Sequence, residues 1–250
     1  MNILKYMIFF SLGALSLTQC AKKKSSSVIY IYFDITEGLS QNVKEEYLTT
    51  TPEIYKIMDI SPKDLNGGTG YGSIKLSLLN YEYFEKPIAL NLLERNERIN
   101  NPRLCGDIVR DFTDSLNYSI NKLFEKKVTQ LDTTSSIIIK HIVEGANEIL
   151  EYPYENKIMI IFSDMLEHNP KQGISFINQN IRKKDYQKII DRISSIYNIN
   201  IPSQDEFSKI KFYIIRPDHE KYPEQRLRAE AFWKHILGAN CKFQSSLNVR

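Results

Sequence analysis

Three short apolar runs constrain what this chain can fold into more than any other feature. They are "VIYIYF" at 28–33, "KIMIIFSD" at 157–164 and "KIKFYIIRP" at 209–217. Each has the length and β-branched content of a strand, and each is hydrophobic almost without alternation. A strand buried on only one face alternates apolar and polar side chains, whereas one covered on both faces does not. The pattern therefore predicts a parallel sheet with helices on both sides. "SIKLSLL" at 73–79 alternates more, as suits a strand nearer an edge. "PIALNLL" at 87–93 and "CKFQSSLNV" from Cys241 read as further edge strands.

Helical patterns lie between these runs. In the stretch from Asp107, the residues Ile108, Phe112, Leu116, Ile120 and Phe124 fall four apart, which places them on one face of a helix. "SSIIIKHIVEGANEILEY" follows, with Thr133, Thr134 and Ser135 as its expected N-caps. "NVKEEYLTTTPEIYKIMD" reads as helix broken at Pro52. "DYQKIIDRISSIY" and "YPEQRLRAEAFWKHILGAN" complete the set, the latter closed by Gly238. Strands alternating with helices predict an α/β fold, a doubly wound and mostly parallel sheet with one antiparallel edge strand. The polar segment at 81–103 reads as an insertion. With 250 residues and no internal repeat, one domain at 28–250 is the simplest organisation.

The amino terminus carries a different signal. After Lys5, an apolar stretch at 6–17 is too short to span a bilayer, and it ends in "LTQC". This resembles the lipobox of a bacterial lipoprotein, with a signal peptide at 1–19 and Cys20 as the lipidated residue. Gln19 departs from the small residue usual at that position. A plain secretory signal is the alternative, and a hydrophobic first helix of the domain is the third reading. "AKKKSSS" then reads as a solvated tether, so that 20–27 links anchor to domain. The expected location is the cell envelope, on the periplasmic or surface side of a bacterial membrane. Cys105 and Cys241 lack metal-ligand spacing, and their pairing in a disulfide and their persistence as buried thiols both remain open. A net charge of +3 without a basic, aromatic-interleaved stripe argues against nucleic acid.

Two of the buried strands run into an acid. "VIYIYF" leads to Asp34 and then Thr36, and "MIIF" leads to Ser163 and Asp164. In a doubly wound sheet the carboxyl ends of neighbouring strands converge on one crevice. Two carboxylates with hydroxyls from "LDTTSS" would form a hard, all-oxygen site of the kind Mg²⁺ or Mn²⁺ prefers.

In that order, "FDITEGLS", "TTSS" and "IIFSDMLEHN" resemble the von Willebrand factor A-type domain, a Rossmann-like fold. "RLRAEAFWKHILGAN" also resembles the Arg-rich, Phe-Trp helix of some bacterial members. The family carries an Asp-x-Ser-x-Ser loop, a distant Thr and a distant Asp around a metal-ion-dependent adhesion site. By position the resemblance implies Asp34, Thr36, Thr134 and Asp164 as metal residues, with Thr133 and Ser135 the alternatives to Thr134. Gly38 stands where the second Ser belongs and cannot ligate. Ser40 substitutes only if the loop bends differently. The resemblance further implies adhesion rather than catalysis, with an acidic side chain of a protein partner completing the ion's shell. A metal-independent component of an envelope complex is the second reading, and a metal-assisted hydrolase the third.

Other signals read as structural. "GGTGYG" at 67–72 precedes a strand and opens no helix, so it lacks the geometry of a nucleotide loop. No paired histidine motif and no G-x-S-x-G elbow occur. Glu167 and His168, just beyond Asp164, read as solvated loop positions with lining of the metal face as the alternative, Trp233 as core, and "IRKKDYQ" at 181–187 as a solvated basic face with a secondary reading as a lipid contact.

Overall fold

The computed structural model describes residues 25–35, 40–79, 87–94, 101–130, 135–216 and 222–247. Strand β1 (Ser26–Phe33) is followed by helix α1 (Ser40–Ile57), β2 (Tyr71–Leu78) and β3 (Ile88–Leu92). Then come α2 (Pro102–Gln130), α3 (Ile138–Glu151) and β4 (Asn156–Phe162). A two-stranded ribbon, β5 (His168–Asn169) and β6 (Ile174–Ser175), precedes α4 (Tyr186–Tyr197) and the short α5 (Gln204–Phe207). β7 (Lys211–Ile215), α6 (Pro223–Leu237) and β8 (Cys241–Gln244) close the chain.

The main sheet has the order β3-β2-β1-β4-β7-β8. All pairings are parallel except that of β2 with the edge strand β3. This is the α/β, doubly wound, mostly parallel Rossmann-like architecture that the apolar runs predict. Their lack of alternation has its cause in two cores. Val28, Tyr30 and Tyr32 of β1 pack with Met159 and Ile161 of β4 under α3, α4 and α6. Ile29, Ile31 and Phe33 pack with Ile158, Ile160 and Phe162 under α1 and α2. Odd and even positions are thus both buried, and the sequence needs apolar residues at each.

Three expectations change. Ser26 and Ser27, assigned to the tether, belong to β1 and are buried, paired with Tyr71 and Gly72. Pro52 does not break α1, which runs through it. Pro52 sits on the exposed side one turn after exposed Leu48, whose carbonyl is the one it leaves without a backbone donor. The Thr50 and Thr51 hydroxyls both donate to the Tyr47 carbonyl (2.9 and 3.0 Å), satisfying the backbone beside the proline. The third change is the start of α3, whose cap is Ile137 with no side-chain hydrogen bond. Ser135 does not cap it, and Thr133 and Thr134 lie outside the described residues.

The remaining elements follow their local chemistry. Asn101 caps α2, its Oδ1 accepting from the amides of Arg103 (3.0 Å) and Leu104 (3.4 Å), with Pro102 at the first helical position. The glycine run lies in the turn into β2, with Gly67 and Gly68 at φ 63° and 82°, a region that favours glycine. Gly238 ends α6 at φ 78°. Cys105 and Cys241 are both buried and outside any disulfide, which is the second of the two readings of that pair. Among the described residues no helix is long and apolar enough to cross a membrane.

Candidate site at the carboxyl edge of the sheet

Asp34 follows the last residue of β1 and is fully buried. Its amide donates to the Phe162 carbonyl (2.8 Å), extending the β1–β4 ladder by one step. Since Phe33 pairs with Phe162, the register sets Asp34 beside Ser163 rather than Asp164. The Ser163 hydroxyl accordingly donates to Asp34 Oδ2 at 2.8 Å. A second hydroxyl arrives from the segment before α3, where Ser136 Oγ donates to Asp34 Oδ1 (3.2 Å) and more weakly to Oδ2 (3.4 Å). Three separate parts of the chain thus meet at one buried carboxylate.

Ser136 is held there by backbone. Its amide donates to the His168 carbonyl (2.9 Å) and its carbonyl accepts from the His168 amide (3.0 Å), an antiparallel bridge onto the ribbon. Asp164 is only partly buried and folds its side chain back, Oδ1 accepting from the Leu166 amide at 3.0 Å. Ser163 Oγ also accepts from the Met165 amide (2.8 Å). Met165 adopts φ 63°, a left-handed conformation costly for a non-glycine residue. The indole of Trp233 on α6 secures it, Nε1 donating to the Met165 carbonyl at 2.9 Å. Trp233 is fully buried, as its place on the apolar stripe implies.

Glu167 departs most from expectation. It is not a solvated loop residue but has no exposed surface. Oε2 accepts from the amides of Ile138 (2.7 Å) and Ile139 (2.9 Å), taking the place of the missing side-chain cap on α3. Oε1 accepts from the Tyr197 hydroxyl (2.9 Å), which in turn accepts from Asn169 Nδ2 (3.2 Å). Burial pushes the Glu167 carboxyl up to about 7, against the pull of the Ile139, Tyr197 and Ile138 hydrogen bonds, and the Asp34 charge adds to the rise. His168 is partly buried, with Nδ1 2.9 Å from Ser175 Oγ.

Of the residues expected to form the site, the structure places Asp34 and Asp164 at the same edge of the sheet. Thr36, Gly38, Thr134 and Cys20 lie outside the described residues. Ser136, from the hydroxyl-bearing "LDTTSS" segment, joins Asp34 and Asp164 together with Ser163 and Glu167, none of which the resemblance assigns as a metal residue. Ser136 lies two positions past the Thr taken from the resemblance. No sequence signal points to Glu167 as the partner of these amides, because Thr133, Thr134 and Ser135 offer themselves as caps for the same helix.

A hard cation fits this donor set on one observation. A hydroxyl whose proton points at a carboxylate turns its lone pairs away from it. Ser136 Oγ, donating to Asp34, keeps both, and Ser163 Oγ keeps one beyond the Met165 amide. Among the described residues no three of His, Cys, Asp and Glu group as metal ligands, so any ion held here relies on hydroxyl oxygens beside the carboxylates. A cavity of about 110 Å³ lies elsewhere, between β2 and α3, lined by Tyr30, Lys75, Glu144 and Glu148 among others.

The fold and this edge define a Rossmann-like α/β protein with a carboxylate–hydroxyl cluster at the carboxyl ends of β1 and β4. No protein-family model matches the chain, and no match is found among curated proteins.

Proposed function

We propose that this chain is a von Willebrand A-like protein-binding module, exported and lipid-anchored through Cys20, that engages its partner at the carboxyl edge of the sheet. The observation that carries the reading is the clasp of Ser136 and Ser163 on buried Asp34. It gathers oxygen donors from three parts of the chain at the crevice where doubly wound sheets bind ligands. Asp34, Thr36, Thr134 and Asp164, joined by the two serine hydroxyls, would hold Mg²⁺ or Mn²⁺. The ion supplies an electrophilic position for an acidic side chain of the partner. The protein residues fix that position: the β1–β4 ladder holds Asp34, the ribbon bridge holds Ser136, and Trp233 holds the strained turn leading out of Asp164. Gly38 removes one ligand without removing the charged ones, which dominate the attraction for a hard cation. The role is binding, not catalysis.

A second reading has its own observation. Asp34 is fully buried and both its oxygens already accept hydroxyl protons, which is how a carboxylate is satisfied in a metal-independent scaffold. Thermal unfolding of the protein with Mg²⁺ and with chelator separates the two. A ligand at 100 times its Kd stabilises the folded state by about 2.7 kcal/mol. The binding reading predicts a rise in Tm that chelator reverses and Asp34→Asn abolishes. No rise at millimolar Mg²⁺ would leave the scaffold reading standing.

A further inference from the structure

We infer that the outer face of α4, with the turn leading into it, is a docking surface for an anionic lipid bilayer. Arg182, Lys183, Lys184 and Lys188 are all exposed, and none makes an ion pair or a side-chain hydrogen bond with any described residue. Arg192 continues the strip along the helix, its guanidinium donating to the Gly173 carbonyl at 3.0 Å. Residues 182–192 hold five cations against two carboxylates, a net +3 that equals the net charge of the whole chain. The strip is thus strongly basic over one short turn and the first two turns of α4.

Local stability does not account for these cations. Lys183 and Lys184 stand in the turn at the amino end of α4, where the helix dipole disfavours positive charge. The acidic groups beside the strip do not neutralise it. Asp185 is partly buried, Asp191 accepts from Gln187 Nε2 (2.8 Å), and Glu224 is spent on Arg228 (3.2 Å).

The neighbouring helix favours a bilayer over an acidic protein. Arg228 on α6 donates to Asn180 at 3.1 Å, joining α6 to the start of the strip, and Leu227 beside it is 66% exposed. A strip of exposed cations with an exposed leucine on the neighbouring helix suits a layer of anionic headgroups over a shallow apolar zone. The inference is independent of the carboxyl-edge site and of the lipid anchor.

Flotation of the full chain with vesicles of phosphatidylcholine, with and without phosphatidylglycerol, tests it. The amino-terminal segment, with its apolar stretch and Lys5, Lys22, Lys23 and Lys24, is the same in every variant, so the change in headgroup preference between wild type and variant isolates the strip. The expected result is a preference for phosphatidylglycerol that falls about fivefold for each cation removed in the series Arg182→Gln, Lys183→Gln, Lys184→Gln and Lys188→Gln. High salt removes the preference, and Leu227→Ser weakens binding without altering it. Circular dichroism confirms that each variant is folded. Equal flotation with both vesicle types overturns the inference, as does a quadruple variant whose preference for phosphatidylglycerol matches that of the wild type. Retention on immobilised polyglutamate without any lipid preference also overturns it, and assigns the strip to an acidic protein.

Discussion

Replacing Glu167 by Gln should remove most of the dependence of this protein's stability on pH between about 5 and 8. The carboxyl is fully buried and its pKa is raised from 4.5 in the ordinary state to about 7 in the fold. Within that interval the native state holds a proton that the unfolded chain has released. Stability from this group is therefore complete below pH 4.5 and is lost as pH rises through 7. A rise from 4.5 to about 7 corresponds to roughly 3 kcal/mol at 1.36 kcal/mol per unit. Gln stays neutral throughout, and its carbonyl can still accept from Ile138 and Ile139 while its amide donates to Tyr197. Urea unfolding at a series of pH values should show the wild type losing up to about 3 kcal/mol relative to Glu167→Gln on going from pH 5 to pH 8. Glu167→Ala should be less stable than either at low pH, because two helix amides and a phenol lose their acceptor at about 1–3 kcal/mol each. Parallel pH profiles for wild type and Glu167→Gln would refute the account, and a gap of opposite sign would refute it more strongly.

Two further substitutions probe the packing that holds the edge. A Cβ at Gly145 would lie 1.9 Å from the Tyr32 hydroxyl, which donates to the His141 carbonyl at 3.1 Å. Gly145→Ala should destabilise by about 1–3 kcal/mol despite alanine's better helix propensity, with partial rescue by Tyr32→Phe in a double-mutant cycle. Trp233→Phe should cost about 1–3 kcal/mol in denaturant unfolding, because it leaves the buried Met165 carbonyl without its donor at a strained turn.

The fold was legible because the apolar runs speak directly to burial. Strands β1, β4 and β7 fall within two residues of the ranges at 28–33, 157–164 and 209–217. The Ile108–Phe124 stripe faces the core, with only Ile108 part-exposed. Pro52 misled because helix-breaking is a rule about backbone donors, and here the proline removes only the donor to the Leu48 carbonyl on an exposed turn of α1. At the site, Asp34 was legible as an acid on a buried strand. Its partners were not, because they depend on register and on a bridge between segments 32 residues apart, Ser136 and His168. The convergence of strand ends set Asp164 facing Asp34, whereas the β1–β4 pairing puts Ser163 beside it. Glu167 was hidden for the same reason: its burial is created by α3 and Tyr197, not by its own neighbours in the chain.

Calorimetric titration of Mg²⁺ and of Mn²⁺ into the protein, with Asp164→Ala and Ser136→Ala alongside, tests the central claim most directly. The account predicts saturable binding at one site, lost in Asp164→Ala and weakened in Ser136→Ala, whose hydroxyl both clasps Asp34 and offers its lone pairs to the ion. Absence of binding in the wild type up to millimolar concentrations, or binding unchanged in both variants, would contradict it.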